Sequence, residues 1–211
     1  VVEATQLLRE EGVTTYYPTV ITNSDEAIEE AVKVIAKACE NHPLVDACVA
    51  GIHVEGPFIT PEDGPRGAHG KQYVKAPDWN LFERWQQAAQ GKIKIITISP
   101  EWEGSTAFIR KCVEHGVIVS IGHTAATAEQ IKDAVAAGAS MSTHLGNGAH
   151  PMLPRHPNYI WEQLAQDDLW TCLIGDGFHL PASFLKVAIR AKDSQVMLVS
   201  DAVYLSGMEP G

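Results

Sequence analysis

Five apolar runs in this 211-residue chain each end in an acidic residue or a histidine. The residues concerned are Glu55, His123, His144, Asp176 with His179, and Asp201. Two histidines and one carboxylate suit Zn²⁺ or another divalent transition metal ion and leave a coordination position for water. The metal lowers the pKa of that water toward about 7, and a nearby Asp201 would take its proton and pass it to a leaving group. The pattern therefore indicates metal-assisted hydrolysis of an amide or an ester.

Simpler explanations exist for each of these residues. A single histidine at a strand end is more often a structural residue than a ligand, and a salt bridge would also explain Glu55 beside His53. His53 and Glu55 share one face of a strand, because successive side chains alternate. Since several such residues follow different strands, we interpret Glu55 as a metal ligand and His53 as a residue that supports it without binding the metal.

Other catalytic motifs are missing from the sequence. GxxxxGK[ST], GxGxxG and GxSxG do not occur, so phosphate-loop, dinucleotide and serine-hydrolase functions lack their required parts. The run KIKIITIS ends in Ser99, Pro100 and Glu101, without a lysine that could be carboxylated to bridge two metal ions. We therefore expect one metal ion, anchored by Glu55.

Helical patterns and short β-rich runs alternate along the whole chain. The segment TAEQIKDAVAAG, for example, has Thr127 and Gln130 at the spacing of a capping box and ends in Gly138. We count seven strands rich in Val, Ile and Leu, which are typical of a parallel sheet covered by helices. The closest closed architecture is an α/β fold, the (β/α)8 TIM-type barrel, here one strand short. In a barrel the carboxyl ends of the strands converge, so the candidate residues would share one pocket.

Charge and composition exclude several classes of partner. The formal net charge is -10, with 16 basic residues among 26 acidic ones, which argues against nucleic acid because phosphate binding needs clustered Lys and Arg. No apolar run approaches the roughly 18 residues of a membrane helix, and no charged-then-apolar leader opens the chain, so we expect no membrane partner. The four cysteines form no CxxC pair and lie in apolar contexts, which predicts reduced core residues and a cytoplasmic protein.

Five motifs together carry a family resemblance, and they occur in the order HVEGPF, IGHTAATAEQIKDAVAAG, STHLGN, GDGFH and LVSDA. They resemble the N-acetylglucosamine-6-phosphate deacetylase family of the amidohydrolase superfamily, over nearly the whole chain. By this resemblance Glu55, His123 and His144 match the metal ligands, and Asp201 matches the catalytic acid and base. It implies one divalent transition metal ion per chain, Zn²⁺ first, with Fe²⁺, Co²⁺ or Mn²⁺ as alternatives.

The same resemblance implies which residues contact a small-molecule amino sugar phosphate. His179 would contact the substrate and help to polarise the acetamide carbonyl, and His69, in RGAH, would bind the substrate. Asn147 and Gly148 would meet the sugar phosphate, and Arg155 falls where the family places a phosphate-binding arginine contributed across a homodimer interface. The implied reaction converts N-acetylglucosamine 6-phosphate to glucosamine 6-phosphate and acetate.

The chain departs from the family after His144. Where the family usually has THLxNAM and later REPG, this chain has THLGNGAHPMLPRHPNYIWEQ, so a different acetylated sugar, phosphorylated or not, stays an alternative. Another amidohydrolase acting on a cyclic or linear amide, and a noncatalytic relative that binds a sugar phosphate, are further alternatives. The family barrel also has a strand before Val1 and a small β-domain, so we interpret residues 1–211 as strands two to eight of one barrel domain in a longer protein.

Overall fold

Seven strands and eight α-helices alternate in the part of the chain that the structure describes, which is residues 1–203 and residue 206 of a computed structural model. The other residues of the predicted domain lie outside this description. The strands are β1 (Thr19–Ile21), β2 (Ile52–Glu55), β3 (Ile93–Ile98), β4 (Ile118–Ile121), β5 (Met141–Ser142), β6 (Trp170–Ile174) and β7 (Val196–Val199). The helices are α1 (Val2–Glu10), α2 (Asp25–Asn41), α3 (Pro43–Cys48), α4 (Trp79–Ala88), α5 (Ser105–Glu114), α6 (Ala128–Ala136), α7 (Tyr159–Ala165) and α8 (Ala182–Lys192).

All neighbouring strands pair in parallel, and their order in the sheet is their order in the chain. Thr19 pairs with His53 between β1 and β2, and Thr171 pairs with Val196 between β6 and β7. At least one helix connects each pair of consecutive strands, as in a (β/α)8 barrel. The seven strands form a curled part of such a barrel, which confirms the predicted incomplete TIM-type fold.

The outer face of the sheet packs against the helices and forms the main hydrophobic core. Ile96 and Ile98 of β3 and Val119 of β4 are fully buried in this core. Because side chains alternate along a strand, the intervening Thr97 and Ser120 point to the opposite face, the barrel interior. The same alternation turns the candidate functional residues of β2 away from the helices.

Two helices begin with the caps that their sequences predict: Ser24, which precedes the acidic Asp25 and Glu26, and Thr127. Ser24 Oγ accepts a hydrogen bond from the backbone N–H of Ala27 at 3.2 Å and caps α2. In the capping box of α6, Thr127 Oγ1 accepts from the N–H of Gln130 at 3.3 Å, and Gln130 Oε1 accepts from the N–H of Thr127 at 2.8 Å. Among the described residues, no helix combines the length and the apolar character needed to cross a membrane.

The β-rich runs DACVAGIHVEG and ASMSTHLGN each predict a strand, and both strands differ from that prediction in the structure. The strand predicted from Asp46 onward begins only at Ile52, because Pro43 starts the short helix α3 and suits its first position. The strand predicted over ASMSTHLGN contains only two residues, and His144, two positions after its end, has a φ of +26°. Apart from the additional helix α3, the order of elements is as predicted.

Substitution of Phe82 tests how much the core between the helices and the sheet contributes to the free energy of unfolding. Its side chain is 1% exposed, and its ring lies edge-on to Phe108 with centroids 5.8 Å apart. Phe82→Ala would leave a cavity, so we expect the free energy of unfolding to fall by about 3–5 kcal/mol in urea denaturation. The control is Phe178→Ala, because Phe178 is 93% exposed and its loss should cost less than about 0.5 kcal/mol. Equal losses in the two variants would contradict this assignment of the core.

Candidate active site

Side chains from three different strand ends meet in one buried cluster. Glu55 ends β2, and His123 and His144 follow β4 and β5. Nε2 of His123 lies 2.7 Å from Oε1 of Glu55, Nε2 of His144 lies 3.1 Å from the same oxygen, and the two nitrogens are 3.1 Å apart. The structure therefore brings together the three residues that the sequence predicts as metal ligands.

The separations between these atoms suit a metal ion. In tetrahedral zinc sites with bonds of about 2.0–2.1 Å, neighbouring ligand atoms lie about 3.3 Å apart. Three atoms that carry lone pairs approach this closely only when positive charge lies between them, either as protons on the imidazoles or as a cation. Two imidazole nitrogens and one carboxylate oxygen are a ligand set that zinc and similar ions accept. The cluster can therefore hold a divalent metal ion.

Electrostatic coupling within the cluster keeps Glu55 ionised. Burial alone would raise the pKa of its carboxyl group, but hydrogen bonds from His123 and His144 hold that pKa well below its ordinary value. Burial would lower the pKa of His144, but the hydrogen bond to Glu55 and the charge of its carboxylate raise that pKa instead. The carboxylate is thus the negative centre of the cluster.

His69 lies beside this cluster. Its ring centroid is 4.3 Å from that of His123, its Nε2 is 3.9 Å from Oε1 of Glu55, and its Nδ1 is 2.8 Å from Oγ1 of Thr22. His69, Glu55 and His123 have ligand atoms within 4.8 Å of one another, but the shorter contacts of His144 make it the better third ligand. Burial, together with the nearby His123, lowers the pKa of His69 to about 4, so its ring is neutral at neutral pH.

Two loop residues orient the imidazole of His123. Its Nδ1 lies 2.8 Å from the carbonyl oxygen of Pro65, which only accepts, so Nδ1 carries a hydrogen and Nε2 faces Glu55. Metal-binding histidines commonly have this arrangement. Gly148 packs against the ring with a φ of +55°, and a Cβ at this position would lie 2.8 Å from Nδ1. A glycine is therefore required here.

A chain of hydroxyl groups crosses the barrel interior near the cluster. Nε2 of His53 lies 2.7 Å from Oγ1 of Thr97, which lies 2.7 Å from Oγ1 of Thr143, and Ser120 Oγ is 2.6 Å from Thr143 Oγ1. Thr97 thus connects His53 to Thr143, the residue that precedes His144. The sequence patterns did not predict these hydroxyl residues, although alternation with the apolar residues of β3 and β4 would have placed Thr97 and Ser120 on the interior face.

The remaining candidate catalytic residues lie in an open cleft. Asp176, His179 and Asp201 line this cleft at the carboxyl ends of β6 and β7. Hydrogen bonds from the backbone N–H groups of His179 and Phe178, and from the His179 ring, lower the pKa of Asp176 to about 2. Nδ1 of His179 lies 2.7 Å from Oδ2 of Asp176, which holds the ring in place. After the hydrogen bond and the charge of Glu55, the charge of Asp201 also contributes to the raised pKa of His144.

The segment predicted to meet a sugar phosphate follows the cluster directly. The N–H of Asn147 donates to the carbonyl oxygen of His144 at 3.0 Å, whereas its side-chain Nδ2 is buried and has no partner among residues 1–203 and 206. Arg155 is exposed in the loop before α7. His150 anchors this loop, since its Nε2 lies 3.0 Å from Oε2 of Glu62 and its Nδ1 lies 3.0 Å from the hydroxyl of Tyr159.

Comparison with known proteins identifies relatives by sequence and by fold. The chain is 39% identical over 207 residues to N-acetylglucosamine-6-phosphate deacetylase of Bacillus subtilis, covering 97% of this chain and 52% of that protein. It is 30% identical to N-acetylgalactosamine-6-phosphate deacetylase of Escherichia coli, covering 95% of this chain and 52% of that protein. The fold also matches a solved structure from Mycobacterium smegmatis, a variant of N-acetyl-D-glucosamine-6-phosphate deacetylase in complex with N-acetyl-D-glucosamine-6-phosphate. The TM-score is 0.89 at 30% sequence identity, and the match covers 99% of this chain and 53% of that chain. No family model matches the chain, which spans about half the length of the relatives named here.

Substitution of Gly148 tests whether the contact between the loop after β5 and His123 supports metal binding. In Gly148→Ala the new methyl group would displace the imidazole, so we expect the affinity for Zn²⁺ to fall at least about 10-fold in chelator competition. The control is Gly116→Ala, because Gly116 also has a positive φ, +71°, but a Cβ there meets no atom within 4 Å. Backbone strain then affects both variants, and displacement of His123 affects only Gly148→Ala. Equal Zn²⁺ affinities in the two variants would contradict this role of Gly148.

Proposed function

Because this chain belongs to the N-acetylglucosamine-6-phosphate deacetylase family, we propose that the protein removes the acetyl group from an N-acetylated amino sugar phosphate by metal-dependent hydrolysis. The proposed substrate is N-acetylglucosamine 6-phosphate, and the products are glucosamine 6-phosphate and acetate. The observation that carries this proposal is the close approach of Glu55, His123 and His144, whose ligand atoms lie 2.7–3.1 Å apart.

The proposed mechanism divides the chemistry between the buried cluster and the open cleft. Glu55, His123 and His144 would hold the divalent ion, which supplies Lewis acidity and lowers the pKa of water at the site. Asp201 takes the proton of the attacking water and then delivers it to the leaving amine. His179 donates Nδ1–H to Asp176, and in its imidazolium form it also donates Nε2–H to the acetamide carbonyl oxygen, on which negative charge develops. His69, as a neutral ring, forms a hydrogen bond with the sugar.

The proposal extends to the whole protein. Zn²⁺ is the proposed metal, with Fe²⁺, Co²⁺ or Mn²⁺ as alternatives that the same ligands accept. Residues 1–211 would form strands two to eight of one barrel domain, within a cytoplasmic homodimer. Asn147 and Gly148 would meet the phosphate group of the substrate, and Arg155 would reach it across the dimer interface. His53 would support the metal ligands through Thr97.

A second candidate substrate is N-acetylgalactosamine 6-phosphate. One relative at 30% identity is named as the deacetylase for this sugar. The segment GNGAHPMLPRHPN after His144 also departs from the usual family pattern, in the region that would contact the sugar phosphate. The two sugars differ in the orientation of one hydroxyl group, so relative rates of acetate release from each would decide between them.

Asp201→Asn tests the proposed acid and base. The amide cannot take a proton from water, so we expect acetate release from N-acetylglucosamine 6-phosphate to fall by about 10²–10⁴-fold, with unchanged Zn²⁺ content. The matched control is Asp193→Asn, because Asp193 and Asp201 are both aspartates with a positive φ, 48° and 47°. Asp193 ends α8 away from the proposed chemistry, so its variant should keep full turnover.

Three outcomes of these assays would contradict the proposal. Full turnover in Asp201→Asn would exclude this residue as the acid and base. Acetate release that a chelator does not reduce would exclude the metal-dependent mechanism. A metal-loaded protein that releases no acetate from either sugar phosphate would exclude the proposed substrates and direct attention to other amides.

Arg155→Ala tests recognition of the phosphate group. Loss of one charge-assisted hydrogen bond should raise KM for N-acetylglucosamine 6-phosphate about 10-fold and leave kcat unchanged. KM for unphosphorylated N-acetylglucosamine should not change, and Arg190→Ala, which removes a cation from α8, serves as the control. An equal rise of KM for both sugars would contradict a contact between Arg155 and phosphate.

A further inference from the structure

Glu101 connects the ends of three consecutive strands without belonging to the metal-ligand cluster. Its Oε1 accepts a hydrogen bond from the hydroxyl of Thr60 at 2.7 Å, in the segment after β2. Its Oε2 accepts from Ser99 Oγ at 2.8 Å, at the end of β3, and from the backbone N–H of Ala125 at 2.7 Å, after β4. A carboxylate accepts several hydrogen bonds at once, so one side chain can hold three segments.

These three segments enclose the backbone of His123. The N–H of Thr60 donates to the carbonyl oxygen of His123 at 2.9 Å, and Ala125, two residues after His123, donates to Glu101. Ser99 Oγ also lies 2.7 Å from Oγ1 of Thr124, the residue directly after His123. Glu101 therefore restrains the chain on the carboxyl side of His123, and through Thr60 it also restrains the His123 carbonyl group.

The backbone conformation of His123 makes such restraint necessary. His123 has a φ of +47°, which a residue with a side chain adopts only when its surroundings impose it. A relaxed φ would turn the side chain away from Glu55, because the imidazole direction follows from the direction of the Cα–Cβ bond. The position of Nε2 therefore depends on contacts that hold the main chain.

We infer that Glu101 is a positioning residue, which holds His123 in its metal-binding orientation before the ion arrives. This inference rests on the metal site of the proposed function. The carboxylate is suited to this role because it only accepts hydrogen bonds, and all its partners in the described structure donate. A glutamine of the same size would lose the charge, which weakens the hydrogen bonds from Ser99 and Ala125. Its NH₂ group would also face Thr60, whose hydroxyl could then no longer donate to this side chain.

The test compares the Zn²⁺ affinity of Glu101→Gln with that of the wild-type full-length protein. Chelator competition on metal-stripped protein gives the affinity, and the thermal midpoint of the same metal-free protein gives its stability. We expect Glu101→Gln to bind Zn²⁺ about 10- to 100-fold more weakly, because residues that orient metal ligands commonly have effects of this size. The control is Glu103→Gln, which removes the same charge from an exposed position two residues away and should keep the affinity within 2-fold.

Thr60→Val provides a second variant in case Glu101→Gln does not fold. It keeps the branched shape of Thr60 and removes its hydrogen bond to Glu101, together with a longer one, 3.3 Å, that Thr60 Oγ1 accepts from the N–H of Glu62. We expect a decrease in Zn²⁺ affinity of about 5-fold. Wild-type affinity in Glu101→Gln, or in Thr60→Val when the first variant does not fold, would overturn the inference. A lower thermal midpoint with unchanged affinity would also overturn it, since Glu101 would then have only a structural role. No substrate enters this measurement, so a failure of the deacetylase proposal in the acetate assay is distinguishable from a failure of this inference.

Discussion

The buried carboxylate of Glu55 imposes the central constraint on the carboxyl end of the sheet. An ionised carboxylate removed from water is costly unless positive charge and hydrogen-bond donors surround it. His123 and His144 approach the same oxygen from the ends of β4 and β5, so both imidazoles depend on this one charge. A divalent ion satisfies the oxygen and both nitrogens together. Metal binding would therefore be coupled to local folding here, because binding energy can stabilise an arrangement that is unfavourable without positive charge.

Backbone strain is present at three of the candidate site residues. His123, His144 and Asp201 all have positive φ values, 47°, 26° and 47°, and each follows the end of a different strand. A strand that continued in an extended conformation would alternate its side chains between the two faces, whereas a sharp change of φ redirects the chain and the side chain together. Strain of this kind persists only where surrounding contacts impose it, and it is concentrated at functional sites. The hydrogen bonds of Glu101 and the contact with Gly148 are contacts of this type.

Burial separates the residues that would hold the metal from those that would act on the substrate. Glu55, His123 and His144 are 4%, 7% and 6% exposed, whereas Asp201 and His179 lie exposed in the open cleft. Low exposure would protect the metal ligands from exchange with water, and in the proposed mechanism an open position would let Asp201 exchange protons with water and with a leaving group. The loop that departs from the family pattern carries Arg155 near its tip, while His150 anchors it to Glu62 and Tyr159. If Arg155 contacts the substrate as proposed, substrate preference would vary with this loop without a change in the metal ligands.

Sequence patterns were sufficient to predict the order of strands and helices, the parallel sheet and the three residues that meet at its carboxyl end. Apolar periodicity and caps such as Thr127 with Gln130 are local signals, and a barrel brings strand ends together whatever the details of its loops. Local signals did not predict that Pro43 restarts a helix, or that Glu101 and Thr97 connect several strands. Glu101 and His123 are neighbours only because β3 and β4 are adjacent in the sheet, and the spacing of residues along the chain carries no measure of that distance. The folded chain was needed to identify these contacts, because hydrogen bonds between strand ends depend on orientation and separation to within a few tenths of an ångström.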